Sequence, residues 1–482
     1  MQAAYPSNLD VSSSGAPSWL AQIRLELAEG VRLEHDDARW RLIRDKFSLS
    51  FRLPPGSTYT VFSKLREEGC SLSELAQVVD EESGPLSVRE QVQRLWRQGL
   101  LVQVLRRGRN KCAVLHNFGE LPLFPNKVQL CDHFIMSEDA CIRRQGDSLL
   151  IESLEVGAFV QIIDPKLFQI PTAFVNAITC DELARQARVP SEVATALTAW
   201  FTTIASLRLV SNLPCGRQKL TGWSFADRFV HARSRKGRHV GGYGGTFALR
   251  GIVSEPPALK PSSDKQKLKL WTPNLADISR RDDSLTSVLE RRRSIREHDG
   301  TPLGFEELSE FLYRTARVKQ RIRSGEYEAA IRPYPSGGAL YELDFYPLVN
   351  RCEGLAPALY RYDGGTHGLE HVTDPTAETR QLLADARSSC GMRGEPHVLI
   401  LLAARFLRVN WKYESMAYAL ILKNVGVAYQ TMYLVATAMA LAPCALGGGN
   451  AELFRRAAHT EYWEESSVGE FMLGRSREPS QN

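Results

Sequence analysis

The sequence predicts an α+β fold: a C-terminal domain built on a central sheet flanked by helices, preceded by two smaller sheet-and-helix modules in tandem. Three observations carry this. Segments of strand and helix character alternate through the C-terminal half, among them a continuous apolar run of strand length at residues 398–403 and a far longer apolar stretch at about 413–441. The N-terminal half repeats itself: Ser71-Leu72-Ser73-Glu74-Leu75-Ala76 leads to Gly99-Leu100-Leu101-Val102, and Thr179-Cys180-Asp181-Glu182-Leu183-Ala184 leads to Leu207-Arg208-Leu209-Val210. Glu74 to Glu182 and Leu101 to Leu209 are both offsets of 108 residues. Finally, 482 residues are too many for one ordinary domain.

The 43% apolar and 24% charged content is that of a soluble globular protein, and a net charge of +5 is too small to imply nucleic acid by itself. Nine cysteines without a CxxC pair argue against a disulfide framework and a zinc ribbon, and fit a reducing cytoplasm. Residues 1–18 are polar, lack the basic start and apolar core of a signal peptide, and read as a disordered N-terminus. The uncharged run 424–450 holds Gln430, Thr431, Thr437 and Pro443, and reads as a core helix with no membrane role.

In the first repeat, residues 22–27, 40–43 and 48–53 alternate like strands, helices follow near 58–68, 71–79 and 87–98, and 100–106 closes as a strand. Ser71-x-x-Glu74 has the spacing of a capping box. The second repeat has strand-like segments at 141–144, 148–153 and 158–163. A small sheet, three helices and a wing make a winged-helix module, predicted over 19–125 and again over 126–215. Arg106-Arg107-Gly108-Arg109-Asn110-Lys111 would be a basic wing tip for nucleic acid, yet residues 193–201, where the second copy's recognition helix falls, carry no charge to set against phosphates. The layout resembles the PqqD-like leader-peptide recognition modules, which pair an exposed strand edge with an extended peptide.

Residues 216–272 are expected to link the halves. Within them 228–265 is rich in glycine, proline and basic residues without periodicity and reads as an extended loop. Its Gly241-Gly242-Tyr243-Gly244-Gly245-Thr246-Phe247 is no dinucleotide fingerprint, because no strand and helix flank it; it reads as a connector packing on the catalytic domain.

The last domain, 273–482, opens on a helix capped by Asp283 or Ser284 that runs into Arg291-Arg292-Arg293-Ser294-Ile295-Arg296. Arginine forks and a hydroxyl suit a dianionic phosphate; the helix points its C-terminus at them, so its dipole gives no help. An amphipathic helix follows from Gly304, then a charged stretch, 315–334, read as a loop over the pocket. Pro335-Ser336-Gly337-Gly338-Ala339-Leu340 is a turn whose bare backbone lets a flat ring approach, and 339–346 alternates into a strand. Lys412-Tyr413 opens the long apolar helix, which is expected to be buried on every side and to end in Ala445-Leu446-Gly447-Gly448-Gly449-Asn450. Residues 468–475 read as a final strand carrying Arg475.

Arg-Arg-Ser-x-Arg, then Pro-Ser-Gly-Gly-Ala-Leu-Tyr, then a long apolar helix and a glycine triplet together resemble the FMN-dependent nitroreductase superfamily over about residues 225–482. More narrowly they resemble the SagB-type azoline dehydrogenases, such as cyanobactin oxidases. The resemblance implies FMN as cofactor. It assigns Arg292, Arg293, Ser294, Arg296 and Arg475 to the phosphate and ribityl chain, and Pro335, Ser336, Gly337, Gly338, Gln430, Leu446, Gly447 and Gly448 to the ring side. It implies an intertwined homodimer sharing its FMN sites, and an azoline-containing precursor peptide with a leader as substrate, with a cyclodehydratase as further partner. It implies no metal, nucleic acid or membrane. Lys412 and Tyr413 match the pair that such dehydrogenases need. Aromatising a thiazoline or oxazoline removes one carbon-bound hydrogen as a proton, which a lysine or tyrosine can take, and a second as hydride; the residues alone do not choose between the two. Two other readings stay open, an NAD(P)H-dependent nitroreductase-like reductase and a winged-helix nucleic-acid binder.

Overall fold

The computed structural model describes residues 17–36, 39–44, 47–51, 57–79, 88–213, 222–261, 267–324 and 327–476. The expected disorder of the N-terminus falls on residues of which 1–16 lie outside that set; Ser18–Gln22 is a short 3-10 turn burying Trp19 and Leu20. The chain forms two compact units, Met1–Tyr243 and Gly244–Asn482.

The first unit carries the predicted duplication. Ser71 and Glu74 exchange backbone and side-chain hydrogen bonds, and Thr179 and Glu182 repeat that capping box at the head of Cys180–Ala187. In one copy the strand Ile23–Leu27 pairs with Cys70–Ser71 and with Leu101–Arg107; in the other, Phe134–Met136 pairs with Leu207–Leu209 and Phe134 bridges to Ile178. The copies join edge to edge. Asn110–Asn117 pairs with Ala158–Ile162 in antiparallel register, so one seven-stranded sheet runs from Cys70–Ser71 to Ala140–Gln145. Val31–Asp36, Arg39–Arg44 and Phe47–Phe51 form a separate three-stranded sheet. The helix Ser191–Thr203 buries every residue from Val193 to Phe201, which explains its lack of charge.

The connector is not extended throughout. Phe225–Arg233 is a helix, capped by the Ser224 hydroxyl accepting from the Asp227 amide. Arg233, which looked like a solvated cation, is buried; it pairs with the Glu152 carboxylate and donates to the Ser153 and Val156 carbonyls. A linker reading misses this because one buried arginine, with its donors all used, anchors a helix that has no apolar periodicity.

The second unit is organised on a seven-stranded sheet ordered Lys267–Lys269, Gly368–Thr373, Ala358–Asp363, Leu343–Val349, Val398–Arg405, Glu465–Arg475 and Leu441–Leu446, with every pair antiparallel. Val398–Arg405 has partners on both sides and apolar cover on both faces, hence its unbroken hydrophobicity. Phe345, Ile400 and Phe471 face the core shared with the helices Phe305–Ala316 and Ala417–Ala438. Tyr346, Leu399 and Met472 face the opposite core, shared with Ala377–Cys390 and Ala451–Ala458.

Four expectations need correction. The long helix spans Ala417–Ala438, and only one stripe of it is buried: Ala417, Ile421, Asn424, Val425, Ala428, Met432 and Ala436. On the other side Tyr418 and Leu422 are 49% and 43% exposed. Its glycines do not follow it directly, since the edge strand Leu441–Leu446 intervenes. The charged stretch 315–334 is a hairpin, Gln320–Ser324 with Tyr327–Ile331; Glu326 lies outside the described residues. The strand expected from Ala339 begins at Leu343 and is buried throughout, so it shows no alternation.

Candidate active site

Lys412 and Tyr413 sit in the short segment between Phe406–Asn410 and the long helix, both half-buried. The lysine Nζ donates to the Tyr327 hydroxyl at 2.6 Å, and that hydroxyl donates to the Gly338 carbonyl at 2.8 Å. Three aromatic rings surround the amine, with centroids 4.1 Å (Tyr327), 5.3 Å (Tyr413) and 5.7 Å (Phe247) away. Phe247 comes from the connector. Gly244 and Glu414 bridge as an antiparallel pair, the Thr246 hydroxyl donates to the Glu414 carboxylate, and the Phe247 amide donates to the Lys412 carbonyl at 3.1 Å. Phe247 holds a positive φ of 56°, a conformation a bulky residue adopts only when its surroundings enforce it.

The turn at Pro335–Gly338 lies against the same pair. Gly338 has φ +66°, and a Cβ there would come within 2.6 Å of the Tyr413 hydroxyl and 2.8 Å of Lys412 Nζ. The Gly337 amide donates to Asn424 Oδ1 at 3.1 Å, and Asn424 Nδ2 donates to the Glu342 carboxylate at 2.8 Å and to Ser336 Oγ at 3.2 Å. Glu342 is fully buried. Burial pushes its carboxyl above the ordinary range, and the Asn424 hydrogen bond pulls it partly back. Pro335 is exposed at the turn's start.

Further along the long helix, Tyr433 meets the arginine segment. Its hydroxyl lies 2.7 Å from Ser294 Oγ and accepts from the Ala445 amide at 2.8 Å, while the Arg292 guanidinium stands 5.4 Å from its ring centre. The Ile295 amide donates to the Pro443 carbonyl at 2.8 Å, which lays residues 292–296 along Leu441–Leu446. That strand buries Leu446 and delivers the exposed Gly447 and Gly448, where an added Cβ would meet nothing within 4 Å. Arg293 and Arg296 are exposed. Arg475 ends its strand in a pair with Glu307 at 3.0 Å, so its charge is already offset. Gln430 lies on the exposed strip of the helix with Leu422 and Gly426, away from the buried stripe that carries Asn424.

Two clusters therefore lie on one helix, with Asn424 and Tyr433 about 14 Å apart at 1.5 Å per residue. One end offers an amine and a phenol at a bare turn. The other offers guanidinium groups, a hydroxyl and open backbone, the donor set for an anion. Residues 289–475 match the Nitroreductase family. This is a nitroreductase-family domain. The chain is 28% identical to the nitroreductase-like protein MJ1384 of Methanocaldococcus jannaschii over 180 residues, 37% of this chain and 84% of that protein. It is 27% identical to the microcin B17-processing protein McbC of Escherichia coli over 202 residues, 40% of this chain and 71% of that protein. Among solved structures, the E. coli microcin synthetase McbBCD complex with truncated pro-MccB17 bound contains a chain matched with a TM-score of 0.35 and 19% identity. The match covers 55% of this chain and 99% of that one.

Within the nitroreductase-family domain, sequence reasoning missed Tyr327, Phe247, Glu342, Asn424 and Tyr433. Asn424 was findable: it falls on the helical stripe with Ile421, Val425 and Ala428, where an uncharged polar group must have partners. Tyr327 was hidden in a charged stretch whose alternation signals a strand.

Proposed function

We propose that this protein is an FMN-dependent oxidase of thiazoline or oxazoline rings in a ribosomally made peptide. The observation that carries the reading is the Lys412–Tyr413 pair held against the Gly338 turn. Simple reduction of a substrate by a flavin asks for no positioned base; removal of a carbon-bound proton does. The similarity to a microcin-processing protein supports a peptide substrate.

The residues fit FMN. Gly447 and Gly448 leave open backbone that a Cβ would fill, and Arg292, Arg293, Ser294 and Arg296 gather donors on the strand leading to them. Arg292, Arg293, Ser294 and Arg296 would hold the phosphate, and Ser336–Gly338 with Gly447–Gly448 the ring; Arg475 would contribute through its pair with Glu307. Bound FMN supplies a two-electron acceptor for the hydride. Lys412 Nζ or the Tyr413 hydroxyl takes the proton from the ring carbon, and Gly338 leaves room for the two side chains to stand side by side. Rings from Tyr327, Tyr413 and Phe247 keep water from the amine.

The exposed apolar side chains of the long helix, with Leu285 and Leu289 at 65% and 45% exposure on Leu285–Arg291, support a homodimer burying that face, and Gln430 with it. The duplicated N-terminal unit would bind the leader as two PqqD-like, winged-helix modules. Tethering the leader to the same chain raises the effective concentration of the ring at the site. A cyclodehydratase would supply the azoline. Among the described residues no helix is long and apolar enough to cross a membrane; a cytoplasmic location is part of the proposal.

The purified protein is expected to be yellow. Lys412→Ala and Tyr413→Phe should each cut azoline oxidation by at least about a hundredfold with the flavin spectrum intact. Wild-type turnover in both variants would refute the base assignment. The similarity to MJ1384 keeps an NAD(P)H-dependent reductase as the second reading; rapid flavin reduction by NADPH with no azoline turnover would select it.

A further inference from the structure

The hairpin Gln320–Ile331 brings to the site a residue that neither the Lys-Tyr pair nor the flavin-side glycines account for. Tyr327 stands between Lys412 and the Gly338 turn and bonds to both. A tyrosine hydroxyl has one proton to give and lone pairs to offer. Here the proton goes to the Gly338 carbonyl, which leaves a lone pair on the lysine nitrogen. The amine is tied through one hydroxyl to the turn whose backbone a Cβ could not share. Its other sides are walled by the Tyr413 and Phe247 rings, the latter 6.1 Å from the Tyr327 ring. A lysine carries four rotatable bonds and much rotamer freedom. Three rings alone would restrict where its nitrogen sits without setting its direction; the directional contact the geometry supplies is this one.

We infer that Tyr327 is a positioning residue for Lys412, fixing the amine over the Gly338 turn so that the carbon-bound proton is transferred along a set direction. The inference rests on the proposed role of Lys412 in azoline oxidation. It makes the hairpin part of the site and assigns it a specific duty. Uptake of a proton by the amine adds an N–H and a charge, and the tyrosine lone pair remains its acceptor throughout.

Tyr327→Phe removes the hydroxyl and keeps the ring. With an azoline-bearing peptide, kcat is expected to fall about tenfold to a hundredfold while KM stays within twofold, because ring binding is untouched and the direction of the base is lost. A second readout needs neither flavin nor substrate. Acetic anhydride applied to the protein and quantified by mass spectrometry should acylate Lys412 at least threefold faster in Tyr327→Phe than in the wild type, since the nitrogen is released from its acceptor. If either change fails to appear, Tyr327 does not hold the amine in the working enzyme and the inference is overturned. Lys412→Ala separates the two levels: azoline oxidation surviving in that variant would sink the functional reading, whereas an inactive Lys412→Ala beside an unaltered Tyr327→Phe would sink the tyrosine's role alone.

Discussion

The two ends of the helix Ala417–Ala438 use glycine for opposite reasons. Near its start, Gly338 is crowded: its missing Cβ is the space in which the Tyr413 hydroxyl and Lys412 Nζ stand, and its φ of +66° is one that L side chains resist. Near its far end, Gly447 is bare, with nothing within 4 Å of where a Cβ would be. The crowded end has its polar groups matched, Lys412 to Tyr327 and Asn424 to Glu342 and Ser336. The open end keeps Arg293, Arg296 and two glycines at the surface. The contrast teaches that the reacting end is built before anything binds, whereas the anchoring end is a set of donors waiting for a phosphate.

The largest way to break that comparison is Gly338→Ala. The new methyl must displace one of the pair or its own turn, and a misplacement near 1 Å costs on the order of a hundredfold in rate. Azoline turnover should drop by that amount; a variant within threefold of wild type would show that the turn yields easily and the crowding has no catalytic meaning.

At the open end the expected losses are in affinity. Arg292→Gln or Arg293→Gln should weaken FMN binding by about tenfold or more, the worth of one charge-assisted hydrogen bond, as measured by quenching of flavin fluorescence. Arg475→Gln should cost less, because Glu307 already holds that guanidinium. Equal losses at all three positions would mean that Glu307 releases Arg475 when the cofactor arrives.

How far this contrast was legible beforehand follows from the kind of signal each end leaves. The strands at the centre of the sheet and the capping boxes 108 residues apart were readable because burial and capping act over a few adjacent residues. The arginine and glycine motifs were readable for the same reason. Tyr327, Phe247 and Glu342 were not, because each reaches the Lys412 region or its supporting network from a distant stretch, and only pairing and hydrogen bonding bring them together. Gln430 and Asn424 show the cost of weighing a polar residue without its phase: six residues along a helix is 240° around it, so the two cannot share the buried stripe. The apolar outer face of the long helix was read as burial in general, and within one chain it is uncovered.

The smallest effects concern stability at the crowded end. The raised Glu342 carboxyl binds its proton more tightly in the folded state than in the unfolded chain, so its contribution to stability is present at acid pH and is lost as pH rises from the ordinary carboxylate range to the raised value. Glu342→Gln removes that loss and keeps an acceptor for Asn424. Its melting temperature at pH 8 should exceed that of wild type by roughly 2–4 °C, and the difference should shrink toward pH 4, where the native side chain is also neutral. Asn424→Leu should act in the opposite sense, leaving the carboxylate and the Gly337 amide without their partner at a cost of about 1–3 kcal/mol. If Glu342→Gln instead lowers the melting temperature at pH 8, the carboxylate is charged and needed in the fold, and the matched state of this end depends on something that enters the site with the ligand.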